Sequence, residues 1–131
     1  MSTSHPQFLR YVLIADAIAS GATGALMILG ASFLSGLLAI PGGLIFEAGL
    51  ILVPYVLFVA IIAGRPVIPV KPVWFIIACN ALWTLSSLVL LVSGLIAPNA
   101  LGYAFVLVQA VVVAVLGELQ YVALRRKAVA A

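Results

Sequence analysis

The sequence predicts an all-α polytopic membrane protein, with four transmembrane helices in one bundle and both termini cytoplasmic. Of its 131 residues, 66% are hydrophobic and 7% are charged, whereas a soluble domain carries about 25% charged residues. The apolar residues form four runs, each close to the roughly 20 residues that cross a bilayer. We expect one membrane domain over residues 1–131, with spans at Phe8–Leu29, Leu44–Ala63, Val73–Ser93 and Ala100–Leu124.

The distribution of the basic residues predicts the orientation. If the chain crosses the membrane four times, all six bases fall on the same side: Arg10, Arg65, Lys71, Arg125, Arg126 and Lys127. Cytoplasmic ends of membrane proteins carry an excess of Lys and Arg. This side is therefore expected to be the cytoplasmic face of a plasma membrane, of the bacterial inner-membrane type. Tyr11, Trp74 and Tyr121 fall at the same interface, where aromatic belts occur.

Two connections between the runs have distinct compositions. Residues Gly30–Gly43 carry no charge and are too apolar for a solvated loop, yet too few to span. They predict an interfacial or re-entrant segment. Residues Gly64–Pro72 contain three prolines, which predict a stiff, extended connector.

Composition also argues against several functions. A net charge of +3 from bases at the run ends is typical of membrane orientation, so we expect no nucleic-acid partner. Cys79 is the single cysteine and His5 the single histidine. They allow no intrachain disulfide and predict neither a metal site nor a cofactor. Without a Ser/His or Cys/His pair, we predict no catalytic residues, and an intramembrane enzyme is the least favoured class.

Polar residues inside two of the runs share one helix face each. In the first run, Asp16, Ser20 and Thr23 recur at i, i+4 and i+7, which places them on one side of a helix. A charge inside the bilayer costs roughly 2.5–3.5 kcal/mol on insertion scales, so Asp16 is expected to be functional or paired. The third run carries a similar stripe: Asn80, Trp83, Thr84 and Ser87.

The two stripes suggest an internal repeat. A shift of 64 residues maps one onto the other: Asp16 onto Asn80, Ser20 onto Thr84, and Thr23 onto Ser87. The first and third helices would both start in the cytoplasm, so the predicted repeat is parallel.

Depth in the membrane adds Glu118 to the candidate site. At about 1.5 Å per residue from the nearest base, Asp16 lies roughly 9 Å inside, Glu118 roughly 10 Å and Asn80 roughly 13 Å. Two arrangements remain open. Either Asp16 and Glu118 share a proton, or Glu118 pairs with Arg125 at the rim and Asp16 binds the stripe of the third helix. On the fourth helix Gln109 and Gln120 share a face, and Glu118 points nearly the opposite way.

Two functional classes follow from this candidate site. The first is a transporter or channel component for protons or a small polar solute, acting in a small oligomer. The second is a non-catalytic assembly or accessory protein, in which the buried polar groups hold helices together. The expected partners are the lipid bilayer and a second copy or another membrane protein. We assign no family from these residues.

Overall fold

The computed structural model describes the backbone of residues 4–130 and the side chains of residues 7–126. Within them the chain is all-helical: α1 (Ser4–Leu29), α2 (Ala31–Leu38), α3 (Gly42–Ala63), α4 (Val70–Ser93) and α5 (Ala100–Ala130). All but α2 contain a stretch long and apolar enough to cross a membrane: Gln7–Leu29, Gly42–Ala63, Val70–Ser93 and Ala100–Arg126. The prediction of four apolar helices long enough to span a membrane is confirmed.

Four helix boundaries differ from the predicted ones. α1 begins at Ser4 instead of Phe8, and α3 begins at Gly42 instead of Leu44. α4 begins at Val70, so Lys71 and Pro72 belong to its first turn and not to an extended connector. Proline is tolerated there because the N–H groups of a first turn have no acceptor within the helix. α5 runs to Ala130, beyond the predicted end at Leu124. Arg, Lys and Ala are good helix formers, so the basic end continues the helix.

The uncharged connection before α3 contains the short helix α2. Its apolar side is buried through Leu34 and Leu38, followed by the buried Ile40, and it packs against α3 and α5. The helix ends at Ala39, whose φ of 57° is left-handed. The segment therefore closes the end of the bundle opposite the Lys and Arg residues.

The start of α5 holds the end of α2 in place. Asn99 donates its backbone N–H to the carbonyl of Leu38 at 3.1 Å and its side-chain amide to the carbonyl of Leu37 at 2.8 Å. A Cβ atom at Gly102 would lie 2.3 Å from the Leu38 carbonyl oxygen. Only glycine permits this approach of the two helices.

The long helices follow each other around the bundle in the order α3, α1, α5, α4. α1 packs closely on α3 and also on α5, while α4 packs on α5 and touches α3 only slightly. Small residues allow the closest of these approaches. A Cβ atom at Gly49 of α3 would lie 2.9 Å from Cγ1 of Ile28 and 3.1 Å from the carbonyl oxygen of Gly24, both on α1. The loosest interface lies between α3 and α4.

Basic and aromatic side chains gather at one end of the bundle. The guanidinium of Arg10 donates to the carbonyls of Ala63 and Arg65 at the C-terminal end of α3, where a positive charge complements the helix dipole. Arg126 lies 5.2 Å from the ring centre of Phe8. This end also holds Trp74 and Tyr121, whose rings meet edge to face at 5.7 Å. The side chain of Lys127 lies outside the described residues.

Candidate functional site

A buried carboxylate at the centre of the bundle accepts hydrogen bonds from four side chains. Asp16 is 1% exposed. Its Oδ1 accepts from the hydroxyl of Ser20 at 2.9 Å. Its Oδ2 accepts from the hydroxyl of Tyr55 at 2.7 Å, the amide of Asn80 at 3.1 Å and the amide of Gln120 at 2.7 Å. We call these five residues the Asp16 cluster.

The Asp16 cluster draws on all four spanning helices. Asp16 and Ser20 lie one turn apart on α1, Tyr55 comes from α3, Asn80 from α4 and Gln120 from α5. α5 can approach because it carries a glycine at this level. A Cβ atom at Gly117 would lie 3.3 Å from Cβ of Asn80, so a larger side chain there would push α5 away from the cluster.

The two amides of the cluster are oriented by their own partners. Nδ2 of Asn80 donates to Oε1 of Gln120 at 2.9 Å, and Oδ1 of Asn80 lies 2.9 Å from the Tyr55 hydroxyl. Turning both amides over would point their oxygens at the carboxylate, which repels them. Throughout the described part of the chain, each buried polar side-chain atom has another polar atom within hydrogen-bond distance.

All four hydrogen-bond partners of Asp16 are neutral, so only their dipoles face its carboxyl group. The guanidinium of Arg10, on the same helix, is held by backbone carbonyls beyond the end of α3. Among the described side chains, residues 7–126, there is no group of three or more His, Cys, Asp or Glu that could bind a metal ion. Such an arrangement can stabilise the carboxylate of Asp16 through hydrogen bonds, and it can also accommodate a proton on that carboxyl group.

The structure brings together only part of the predicted site. Asp16, Ser20 and Asn80 meet as proposed, but Glu118 is exposed on the surface of α5. At 100° per residue, Glu118 points about 200° away from Gln120 around the helix. The predicted grouping of Asp16, Asn80 and Glu118 is therefore corrected to Asp16, Asn80 and Gln120. At the rim, Arg125 donates to the hydroxyl of Tyr121 at 2.9 Å.

Trp83 and Ser87 form a second polar group, with Gln109 of α5 as their partner. The indole N–H of Trp83 donates to Oε1 of Gln109 at 2.7 Å, and Nε2 of Gln109 donates to the Ser87 hydroxyl at 3.1 Å. The Ser87 hydroxyl donates in turn to the carbonyl of Trp83, one turn earlier, at 2.8 Å. This group joins α4 to α5, beyond the Asp16 cluster.

The two predicted threonines bond to backbone. The hydroxyl of Thr23 donates to the carbonyl of Ala19 on its own helix at 2.8 Å. The hydroxyl of Thr84 lies 3.4 Å from the carbonyl of Ala110 on α5. Neither hydroxyl contacts the carboxylate. Of the residue pairs related by the 64-residue shift, only Asp16 and Asn80 are joined by a hydrogen bond.

A cavity of about 880 Å³ lies beside the Asp16 cluster, with walls from α1, α3, α4 and α5 and with Leu38 of α2 at its edge. Its lining is mostly apolar, with Leu26, Leu52, Phe105 and Val113 among the side chains. Three members of the cluster also line it: Ser20, Tyr55 and Asn80. Asp16 lies behind them, so a molecule in the cavity would be one side chain away from the carboxylate.

Sequence reasoning missed Tyr55 and did not assign Gln120 to the site. Tyr55 lies in the middle of the apolar run of α3, far from the interfaces where membrane tyrosines usually occur. A phenol at that depth needs a hydrogen-bond partner, so a tyrosine in the middle of an apolar run indicates a polar group on a neighbouring helix. Gln120 was predicted to lie on the face of the fourth helix opposite Glu118. Only one of these two faces can point into the bundle, and in the structure it is the face with Gln120.

No family model, no curated protein and no solved structure matches the chain. The Asp16 cluster and the cavity are the features of the described residues that bear on function.

Proposed function

We propose that the protein is a small membrane transport protein that takes up a lipid-soluble solute in the cavity between α3 and α4. The observation that carries this proposal is the cavity itself, of about 880 Å³, whose apolar walls end at the partners of a buried carboxylate. Sites for small molecules usually measure about 300–1,000 Å³ and combine apolar walls with a few polar groups.

The lining indicates the chemistry of the solute. Apolar walls favour an apolar body over the small polar solute expected from the sequence alone. The polar side chains at the wall are neutral, and the charge behind them is the carboxylate of Asp16. A head group that donates hydrogen bonds or carries a positive charge therefore fits best beside Ser20, Tyr55 and Asn80.

The packing of the helices supports entry from the lipid. α3 and α4 touch only slightly, while α1 packs closely on α3 and α4 on α5. Pro54 lies on α3 next to the cluster residue Tyr55 and removes one backbone hydrogen bond from that helix. A solute dissolved in the bilayer would enter through this loose interface.

Trp83 provides a test, because it lines the cavity. The sequence has two tryptophans, so a Trp74→Phe variant leaves Trp83 as the single indole. In vesicles of dibrominated phosphatidylcholine, bromine atoms that enter the cavity quench indole fluorescence on contact. We expect Trp83 to lose more than half of its fluorescence relative to vesicles of unbrominated lipid.

A matched pair of substitutions shows whether quenching occurs inside the cavity. Val113 lines the cavity, whereas Val115, on the same helix, is 46% exposed on its surface. Val113→Phe should weaken the quenching of Trp83, and Val115→Phe should leave it unchanged. Absence of quenching, or equal quenching in both variants, would contradict the proposal.

The second candidate is a non-catalytic assembly protein, and the completeness of the Asp16 cluster favours it. Every member is paired inside the chain, as expected for polar groups that hold helices together. In this account, a helix of a second copy or of a partner protein fills the gap between α3 and α4. An unquenched Trp83 in a stable oligomer would favour this candidate.

We also propose that the end with the Lys and Arg residues faces the cytoplasm of a bacterial inner membrane, as the positive-inside rule predicts. Topology reporters fused after Ala131 or within residues 64–72 should be active in the cytoplasm. A reporter within residues 30–43 should be active outside. Mixed activity at any one position would mean that the chain inserts in both orientations.

A further inference from the structure

In the Asp16 cluster, one short contact has no hydrogen of its own while Asp16 is ionised. Tyr55 has a single hydroxyl hydrogen, yet its oxygen lies within hydrogen-bond distance of two acceptors. Oδ2 of Asp16 is 2.7 Å away and Oδ1 of Asn80 is 2.9 Å away. The amide hydrogens of Asn80 point to Asp16 and Gln120, so they cannot fill the contact with Tyr55.

The ionised cluster therefore has one unfilled contact. The hydroxyl hydrogen of Tyr55 then points at the carboxylate, because a charged acceptor makes the stronger bond. Two oxygen atoms, of Tyr55 and Asn80, are left facing each other at 2.9 Å without a hydrogen between them. One added proton would fill this contact.

We propose that Asp16 is a reversible proton-binding site and that the Tyr55 hydroxyl is its switch. A proton binds Oδ2 of Asp16 and forms a new O–H bond, which donates to the oxygen of Tyr55. The Tyr55 hydroxyl rotates about its C–O bond and donates to Oδ1 of Asn80. The carboxyl charge goes from −1 to 0, no other covalent bond changes, and each contact then holds one hydrogen.

The packing around the cluster allows this change to occur without repacking. Only a hydroxyl hydrogen moves, while the heavy atoms of the five side chains stay in place. Ser20 and Gln120 keep their hydrogen bonds to Asp16 in both states. Asp16 itself is buried between α1 and α5, which pack on each other, so a change that moved its side chain would disturb that contact.

The groups that face Asp16 are few. α3 contributes the titratable Tyr55 and α5 the neutral Gln120, while α4 contributes Asn80 and, next to it in the sequence, the titratable Cys79. Tyr55 and Cys79 also line the cavity. Proton binding removes the negative charge behind the cavity wall. If the proposed function is right, it would also weaken the hold on a cationic head group.

The composition of the chain makes the proton site directly observable. Asp16 is the single aspartate, and the chain has four tyrosines. The full chain can be made by cell-free synthesis with ¹³C at the aspartate carboxyl and the tyrosine Cζ, and placed in lipid bilayers. Solid-state NMR spectra would then be recorded across a pH series. We expect the carboxyl signal to move between its ionised and protonated positions, and one tyrosine signal to shift in step with it.

Three variants identify the switch. Tyr55→Phe should remove the shifting tyrosine signal while the carboxyl still titrates, and Tyr103→Phe, at an exposed tyrosine, should leave it unchanged. In Asp16→Asn the Tyr55 signal should no longer depend on pH. A carboxyl signal that stays constant wherever the protein remains folded would overturn the proposal. So would a carboxyl that titrates without a shift at Tyr55. Trp83 quenching at one fixed pH tests the cavity separately, so failure of one proposal is distinguishable from failure of the other.

Discussion

Asp16→Leu should lower the free energy of unfolding by about 2–4 kcal/mol. The substitution leaves the donors of Ser20, Tyr55, Asn80 and Gln120 without their shared acceptor. A hydrogen bond between helices in a bilayer is worth about 0.6 kcal/mol on average, and a stranded buried polar group costs about 1–3 kcal/mol. The loss can be measured by reversible unfolding in mixed micelles.

Asp16→Asn is the matched control and should cost less than about 1 kcal/mol by the same bilayer average. The amide oxygen can occupy the position of Oδ2 and accept from Tyr55, Asn80 and Gln120. The amide nitrogen can occupy the position of Oδ1 and donate to Ser20. Equal destabilisation by Leu and Asn would show that the negative charge, and not the hydrogen bonding, holds the cluster together.

Gly49→Leu should lower the free energy of unfolding by about 1–3 kcal/mol, the usual cost of overpacking. A Cβ atom there would lie 2.9 Å from Ile28 and 3.0 Å from Cβ of Met27, so α3 would have to move away from α1. Gly43, also on α3, has no atom within 4 Å of the position its Cβ would take. Gly43→Leu is therefore the control and should be close to neutral. Similar losses in the two variants would mean that the α1–α3 contact is not tightly packed.

The spans were predictable because the length of an apolar run is the strongest signal in a membrane protein. The exact ends of the helices were less predictable than the spans. Pro72 looked like part of a connector, although a proline fits the first turn of α4. The predicted fourth span ended at Leu124, although Arg, Lys and Ala favour helix and α5 continues through the residues that follow.

The candidate site was predictable where helix geometry alone decides. Asp16 and Ser20 share a face at i and i+4, and Asn80 lies at a similar depth, so their meeting followed from spacing. Glu118 has the right depth but the wrong angle. Depth fixes the position of a residue along the helix but not its direction around the helix. Glu118 was chosen because it is a second carboxylate, although Gln120 lies on the opposite face of the same helix.

The cavity could not be predicted from the residues. Its volume depends on how far α3 and α4 separate, and that separation is set by the packing of α3 on α1 and of α4 on α5. The apolar side chains on the cavity wall resemble those that face lipid, so no residue pattern distinguishes the two surfaces.

The central claim is that one hydrogen-bonded cluster around Asp16 joins the four spanning helices. The most direct test is a solid-state NMR experiment on the chain with ¹³C at its single aspartate carboxyl and ¹⁵N at every side-chain nitrogen. We predict dipolar contacts from this carboxyl to one Asn and one Gln amide, matching oxygen–nitrogen distances of 3.1 and 2.7 Å. The first contact should disappear in Asn80→Leu and the second in Gln120→Leu. A carboxyl that contacts neither amide, or contacts an arginine guanidinium instead, would contradict the account.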